Sequence, residues 1–345
     1  MTGRSKTAGV GRRLAILAAL LSGPSAFYAA FVAPRVRTWG VTKTEVARAW
    51  AGDELVPDPA FVWTNAVTVA RPPSEVWPWL AQLGQGRGGL YSYDWLENAV
   101  MADVHSRSEV VPELQGPLDI GERVIRMARY APHNPVAMYD AGHALVLGGV
   151  ADSPEQLRAG SPSSSWAFLV EPTNDRQSRL VIRSRGRGLA ARLQGPLQFV
   201  MQRKMMLGIK QRAEGTWAPS SADVLVPLSW FAAAAATAVH GGRALKGRPG
   251  WRAAAFMASI SAVGVQVLLF WDLPPRWRAG LVVVLVALNR PLVPGVACSP
   301  MARWRPTSGR DTSGELRPSA VVTRGRAVAV SRWRRLRGQV VAAGC

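Results

Sequence analysis

The 345-residue chain is poor in the residues that most often carry chemistry. It has two cysteines, Cys298 and Cys345, and four histidines, His105, His133, His143 and His240. Two cysteines near the C-terminus provide neither a disulfide framework nor a thiolate metal site. The histidines are scattered without ligand-like spacing, so no metal and no cofactor is expected. There is no Walker pattern and no nucleophile elbow. The glycine-rich run Gly84–Gly89 follows a predicted helix rather than a strand, which is the wrong context for a dinucleotide loop. No catalytic residue is assigned. Acid is scarce at both ends: residues 1–34 carry four Lys/Arg and no acid, and residues 223–345 carry 17 basic and four acidic groups. Residues 35–222 are nearly balanced, with 21 basic and 18 acidic groups. A nucleic-acid-binding domain would carry its own basic face, so nucleic acid is excluded as the partner of this middle region.

What the ends have is apolar length. Leu14–Val32 follows a basic start and is long enough to cross a bilayer core. It reads as a transmembrane anchor or as a signal peptide; the anchor is favoured because further apolar segments follow. Val224–Val239 and Ala253–Trp271 are spanning candidates, with buried soluble helices as the competing reading. Ala279–Leu288 is a shorter third run, reaching Val296 at most; if it too spans, the tail returns inside. The last stretch, Met301–Cys345, has ten arginines and no periodicity. It is expected to be disordered or a misread end, and no function is placed there. The chain thus divides into a basic N-terminus with an anchor (1–34), a nearly neutral middle domain (35–218), two to three transmembrane helices (223–296) and a basic tail (297–345). Short loops rich in Lys/Arg stay cytoplasmic. Arg12 and Arg13 before the first span, and Arg243, Lys246, Arg248 and Arg252 between the next two, therefore predict a multi-pass cell-membrane protein with the domain outside. Arg35 and Arg37 argue the other way.

Inside the domain, Ala33–Ala60 reads as an irregular lead-in. A first strand is predicted over Trp63–Ala70, then helices over Ser74–Leu83 and Tyr93–Met101, the second capped by Ser92. Strands follow at Arg123–Met127, Val136–Tyr139, Ala144–Gly148, Trp166–Val170 and Arg179–Arg183, with Ala151–Ser165 an exposed loop. The cluster Arg183–Arg187 reads as a solvated strand end. Leu193–Glu214 is the strongest helix, with Leu193, Leu197, Val200, Met201, Met205 and Gly208 on one face and Phe199, Arg203, Met206 and Lys210 opposite.

The stretch Gly84–His105 organises the rest. It mixes Tyr91, Tyr93 and Trp95 with Asp94, Glu97, Asn98, Asp103 and His105, as a pocket with an apolar body and a few polar contacts would. The competing reading is a loop feeding a helix whose aromatics are core. With RTWGVTKTEV (37–46), GDELVPDP (52–59), VWPWLAQLGQGRGGLYSYDWLEN (76–98) and FVMQRKMMLGIKQRAE (199–214), the stretch resembles the START-like, or SRPBCC, superfamily, in particular actinobacterial polyketide cyclase/dehydrase-like proteins. The resemblance covers about residues 35–218. It implies an α+β helix-grip domain, an antiparallel sheet around a long C-terminal helix with a cavity between them, flanked here by N- and C-terminal transmembrane helices.

Three functions follow as expectations. The first is binding or transfer of a hydrophobic small molecule or lipid. The second is a cyclase-type enzyme moving protons with Tyr91, Tyr93, Asp94 and His105; Asp103 and His105 read either as an acid/base pair or as ordinary polar neighbours in a loop. The third is a structural protein without a ligand. The expected pocket is lined by Trp77, Tyr91, Tyr93, Trp95, Trp166, Met201 and Met205, with Asp94, Asn98, His105 and Lys204 as polar contacts. Lys204 falls near the middle of the apolar helical face. Its ammonium either snorkels to the rim or pairs in the cavity with Asp94, Glu97 or an acidic ligand head.

Overall fold

The computed structural model describes residues 3–99, 102–125, 134–149, 162–187, 189–246 and 249–288. In chain order its helices and strands are Gly3–Phe27 (α1), Ala33–Thr38 (α2), Lys43–Ala47 (α3), Phe61–Val69 (β1), Pro73–Ala81 (α4), Asp94–Asn98 (α5), Arg123–Ile125 (β2), Asn134–Asp140 (β3), Ala144–Gly149 (β4), Ser164–Asn174 (β5), Gln177–Gly186 (β6), Leu189–Ala213 (α6), Ala222–Leu245 (α7), Trp251–Phe270 (α8) and Pro275–Ala287 (α9). The second compact unit, Leu292–Cys345, lies outside the described residues.

The six strands form one sheet in the order β1-β6-β5-β4-β3-β2, antiparallel throughout. Successive side chains of a strand point to opposite faces. Trp166, Phe168 and Val170 of β5 therefore join Leu145, Leu147, Leu180 and Ile182 on one face. Ala144, Val146, Ala167, Leu169 and Val181 take the other. Val76 and Leu80 of α4 and Met205, Met206 and Ile209 of α6 close the first face into the main core.

The second face is covered by the lead-in, through Val41, Trp50 and Leu55. This segment is not irregular throughout. Its α3 is opened by a capping box between Thr42 and Glu45, and outward arginines of β6 hold it down. Arg179 meets Glu45 at 2.8 Å. Arg183 grips Asp53 through two bonds of 2.7 and 2.9 Å, and Arg185 reaches the same carboxylate at 3.2 Å. Arg183 and Arg185 of the Arg183–Arg187 cluster thus form a clamp on Asp53, and Arg187 alone stays exposed as a solvated strand end would. The clamp's acidic partner lies about 130 residues upstream, where no local pattern reveals it.

Arg13–Thr38, Ala222–Leu245 and Trp251–Phe270 are long and apolar enough to cross a membrane. The first runs through a π-helical turn, Tyr28–Val32, into α2, so the helix continues beyond the predicted Leu14–Val32. α9, at 13 residues, is about 20 Å long. α8 packs against α1, α7 and α9. Close approach is helped by Gly264, which faces Leu285, and the Gln266 amide donates to the Pro24 carbonyl at 3.1 Å. Ile16, Ala244 and Ala255 meet at one end of the bundle. At the other end Arg35 donates to the Phe270 carbonyl at 2.7 Å. The α/β part joins the bundle at this second end, through residues 38 and 222.

Candidate functional site

After α4 the chain reverses through Gly84 (φ 136°) and Gly89 (φ 83°), whose backbones bond each other at 3.0 and 2.9 Å. Glycine permits the positive φ, and a side chain at Gly84 would run into the Val124 carbonyl. Tyr91 also has positive φ, 55°, which is uncommon for an aromatic residue. Its carbonyl lies where a Cβ on Gly208 of α6 would stand, so α6 needs glycine there. The ring packs edge-on to Trp79 at 5.8 Å, the Arg212 guanidinium sits over it at 4.8 Å, and Gln82 Nε2 donates to its hydroxyl at 2.9 Å. Burial pushes the phenol well above its ordinary range.

The polar residues of the stretch largely serve its own loop. Asp94 accepts from the Ser106 amide at 2.6 Å and hydroxyl at 2.7 Å. Asn98 both donates to the Val104 carbonyl (2.8 Å) and accepts from its amide (2.6 Å). Ser92 caps no helix; its hydroxyl donates to the Met201 carbonyl, and α5 begins at Asp94. His105 lies 3.2 Å from Asp103, but its side chain is 79% exposed, so no apolar wall surrounds the pair. Glu97 differs. Burial, reinforced by the nearby Asp94 charge and opposed by a Ser92 hydrogen bond, pushes its carboxyl up to about 7. Its Oε2 is buried without a hydrogen-bond partner.

At the start of α5 the stretch meets the apolar helices. Tyr93 packs edge-on to Trp230 of α7 at 5.4 Å. Burial raises its hydroxyl to about 12, with Arg203 and Arg278 pulling it back. Trp95 is 36% exposed, and its indole donates to the Asp223 carbonyl at 2.8 Å. Lys204 binds the Asp223 carboxylate at 2.6 Å and stands 5.5 Å from the Tyr93 ring centroid. Its partner is therefore neither Asp94 nor Glu97, and it faces α7 rather than the sheet. The predicted faces of α6 need the same correction. Leu197 is 67% exposed, whereas Phe199, Arg203 and Met206, placed opposite, are buried. The reason is that α6 packs against the sheet on one side and against the bundle on another, which leaves no single apolar stripe.

Three arginines complete this junction. Arg203 donates to the carbonyls of Phe270 (2.9 Å) and Leu269 (3.1 Å), beside Asp272 at 3.4 Å. Arg35 shares the Phe270 carbonyl, and Arg278 donates to that of Leu268 at 3.0 Å. The last carbonyls of a helix lack intrahelical partners, and cations suit the negative end of its dipole. α8 is thus capped by side chains from α2, α6 and α9.

The expected pocket residues fall in two neighbourhoods. Trp77, Tyr91, Trp166 and Met205 belong to the core between α6 and the sheet. Tyr93 and Met201 belong to the junction with the apolar helices. The middle of the first space is filled by Met205, Met206 and Ile209 against Phe168, Leu180 and Ile182. A buried relay crosses nearer its bundle end: Trp166 donates to Gln202 (3.0 Å), Gln202 to Asn65 (2.8 Å), and Asn65 to the Val36 carbonyl (3.0 Å). A groove of about 600 Å³ lies elsewhere, between α1 and α8. Among the described residues no three His, Cys, Asp or Glu side chains are grouped to hold a metal ion. Arg35, Arg203, Arg278 and Gln202 carry no local signal of these roles, because most of their partners are remote in sequence. Asp223 had a legible signal, an acid in the first turn of a predicted helix.

No family model matches the chain, and no curated protein matches it. Among solved structures it is similar to protein MLL2253 from Mesorhizobium loti (14% identity, 45% of this chain and 99% of that one, TM-score 0.27). It is also similar to the conserved protein of unknown function EF2215 from Enterococcus faecalis (14%, 49% and 85%, 0.28). A third is the Polyketide_cyc-like protein Cgl2372 from Corynebacterium glutamicum (12%, 45% and 88%, 0.21). At those scores the reading of function rests on this chain's own residues.

Proposed function

We propose that the chain is a membrane-anchored START-like module whose helix-grip domain binds or transfers a hydrophobic small molecule or lipid. One observation carries this reading. Phe61 stacks on Trp63 at 4.2 Å at the start of β1, and both join Val32, Trp230 and Leu268 of the apolar helices in one cluster. An apolar ligand passing between bilayer and domain at this end stays beside aromatic surface. Trp77, Tyr91, Trp166 and Met205 would line its path between α6 and the sheet, and Tyr93, Trp95, Met201 and Lys204 would form the wall towards the bundle. Adaptable methionines suit a ligand that must displace packed side chains.

The test is native mass spectrometry of the detergent-extracted full chain. Retained apolar adducts that disappear in Trp166→Ala, with the fold intact, support the reading; an adduct-free protein refutes it. The favoured topology places the basic α7–α8 turn inside and the domain outside. Asp175 is exposed in the β5–β6 turn. In a background lacking Cys298 and Cys345, Asp175→Cys is labelled by an impermeant reagent on intact cells if the domain is outside, and only after lysis if it is inside.

A cyclase-type enzyme is the second reading, favoured by Glu97 alone. A carboxyl held near 7 with a free oxygen is suited to general acid–base work. Turnover of a poly-ketone substrate that is lost in Glu97→Gln would select this reading.

A further inference from the structure

The groove between α1 and α8 belongs to neither neighbourhood of the domain. Ser22 and Gly23 on α1 and Ala255, Phe256, Ser259 and Ile260 on α8 line it, with Trp251 and Arg252 at its α8 N-terminal end. From Arg252 to Val263, the last α8 residue lining it, is 11 residues, about 16 Å of helix. Small residues alternate with large apolar ones along this lining, which suits an extended hydrocarbon chain. The charge around it has one sign. No acid occurs in residues 1–44 or 224–271, while Arg243, Lys246 and Arg252 lie at either side of the α7–α8 turn. The Arg252 guanidinium lies 5.6 Å from the Trp251 ring centroid. Tryptophan and arginine together are typical of the headgroup level.

We propose that this groove binds an anionic phospholipid, with one acyl chain lying along Gly23 and Ser259 and the headgroup held by Arg252. The proposal rests on the membrane-spanning reading above but not on any ligand of the domain. One basic side chain near a charged lipid surface confers about a fivefold preference.

The experiment titrates the full-length protein in detergent with phosphatidylglycerol or with phosphatidylcholine of the same acyl chains, and reads retained adducts by native mass spectrometry. Phosphatidylglycerol is expected to be retained about fivefold over phosphatidylcholine. Arg252→Gln, at an exposed position, brings that ratio to about one. Gly23→Leu fills the groove and removes both adducts; a Cβ there meets only Ser259 Cβ, at 3.9 Å, so the backbone need not move. An adduct bound in the domain survives Gly23→Leu. An unchanged ratio in Arg252→Gln, or unchanged retention in folded Gly23→Leu, overturns the proposal. Release of the wild-type chain from membranes by carbonate without detergent would remove the membrane reading and the groove together.

Discussion

Replacing Arg203 by methionine tests whether α6 is docked onto the apolar helices as a structural joint. Methionine keeps most of the stem and removes the guanidinium. Arg203 is 5% exposed, so water does not readily replace what is lost. The Leu269 carbonyl loses its donor, and Phe270 keeps only Arg35. A hydrogen bond to a charged group contributes about 1.5–3 kcal/mol, and an unsatisfied buried carbonyl costs about 1–3 kcal/mol. Loss of a cation at a helix C-terminus adds about 0.3–1 kcal/mol. Asp272 is more than half exposed and regains solvent, so the full penalty of a broken buried ion pair does not apply. Burial also works against the charge of Arg203, which returns part of the loss. The expected net cost is about 2–4 kcal/mol. At about 2–4 °C per kcal/mol, the full chain in detergent should melt about 4–16 °C lower. Arg35→Met should cost less, because Arg35 makes a single bond to Phe270. The double variant should cost more than the sum, since only then is that carbonyl abandoned. A change under about 0.5 kcal/mol for Arg203→Met, or strict additivity with Arg35→Met, would refute the joint.

Four further outcomes are expected. Asp53→Asn leaves Arg183 and Arg185 without their carboxylate and should cost about 3 kcal/mol, whereas Arg48→Ala, which removes an exposed pair with Glu171, should cost under about 1 kcal/mol in the same denaturation series. Gly208→Ala gains about 1 kcal/mol of helix propensity but drives a methyl into the Tyr91 carbonyl; net destabilisation by urea denaturation is expected, and a net gain would contradict the close approach. Because Glu97 is raised from 4.5 to about 7 by folding, the folded state binds the extra proton and stability falls as pH rises through that window. Glu97→Gln should flatten this slope in melts from pH 4.5 to 8. Lys204→Met and Asp223→Asn should each cost about 1 kcal/mol and show coupling in a double-mutant cycle, because their ion pair is only partly buried.

The elements themselves were largely legible. The strand at Trp63–Ala70 and those around Val136, Ala144, Trp166 and Arg179 all have their counterparts in β1 and β3–β6, because β-branched and aromatic runs stop at Pro72, Asp140, Gly142 and Asp175. The helix at Ser74–Leu83 likewise reappears as Pro73–Ala81. Of the predicted Arg123–Met127 strand only Arg123–Ile125 falls within the described residues, as does only the end of the Ala151–Ser165 loop.

Which side chains meet was far less legible. Asp94 and Asn98 look like ligand contacts because both are polar residues among aromatics, yet their partners Ser106 and Val104 are set by a loop whose path the sequence does not specify. Lys204 illustrates the same limit. A helical wheel assigns it an angle, but only the position of α7 decides that this angle faces Asp223.

The sequence alone determines the alternation that makes one antiparallel sheet, the long helix after it, and three apolar helices with basic charge at one end. Each is a local matter of period, length and composition. The tertiary structure decides that Arg179, Arg183 and Arg185 face a lead-in more than 120 residues upstream, that α6 is buried on two sides, and that Arg35, Arg203 and Arg278 converge on the last carbonyls of α8. These contacts join segments far apart in the chain, and a buried charge shows its partner only once the backbone has brought the two together.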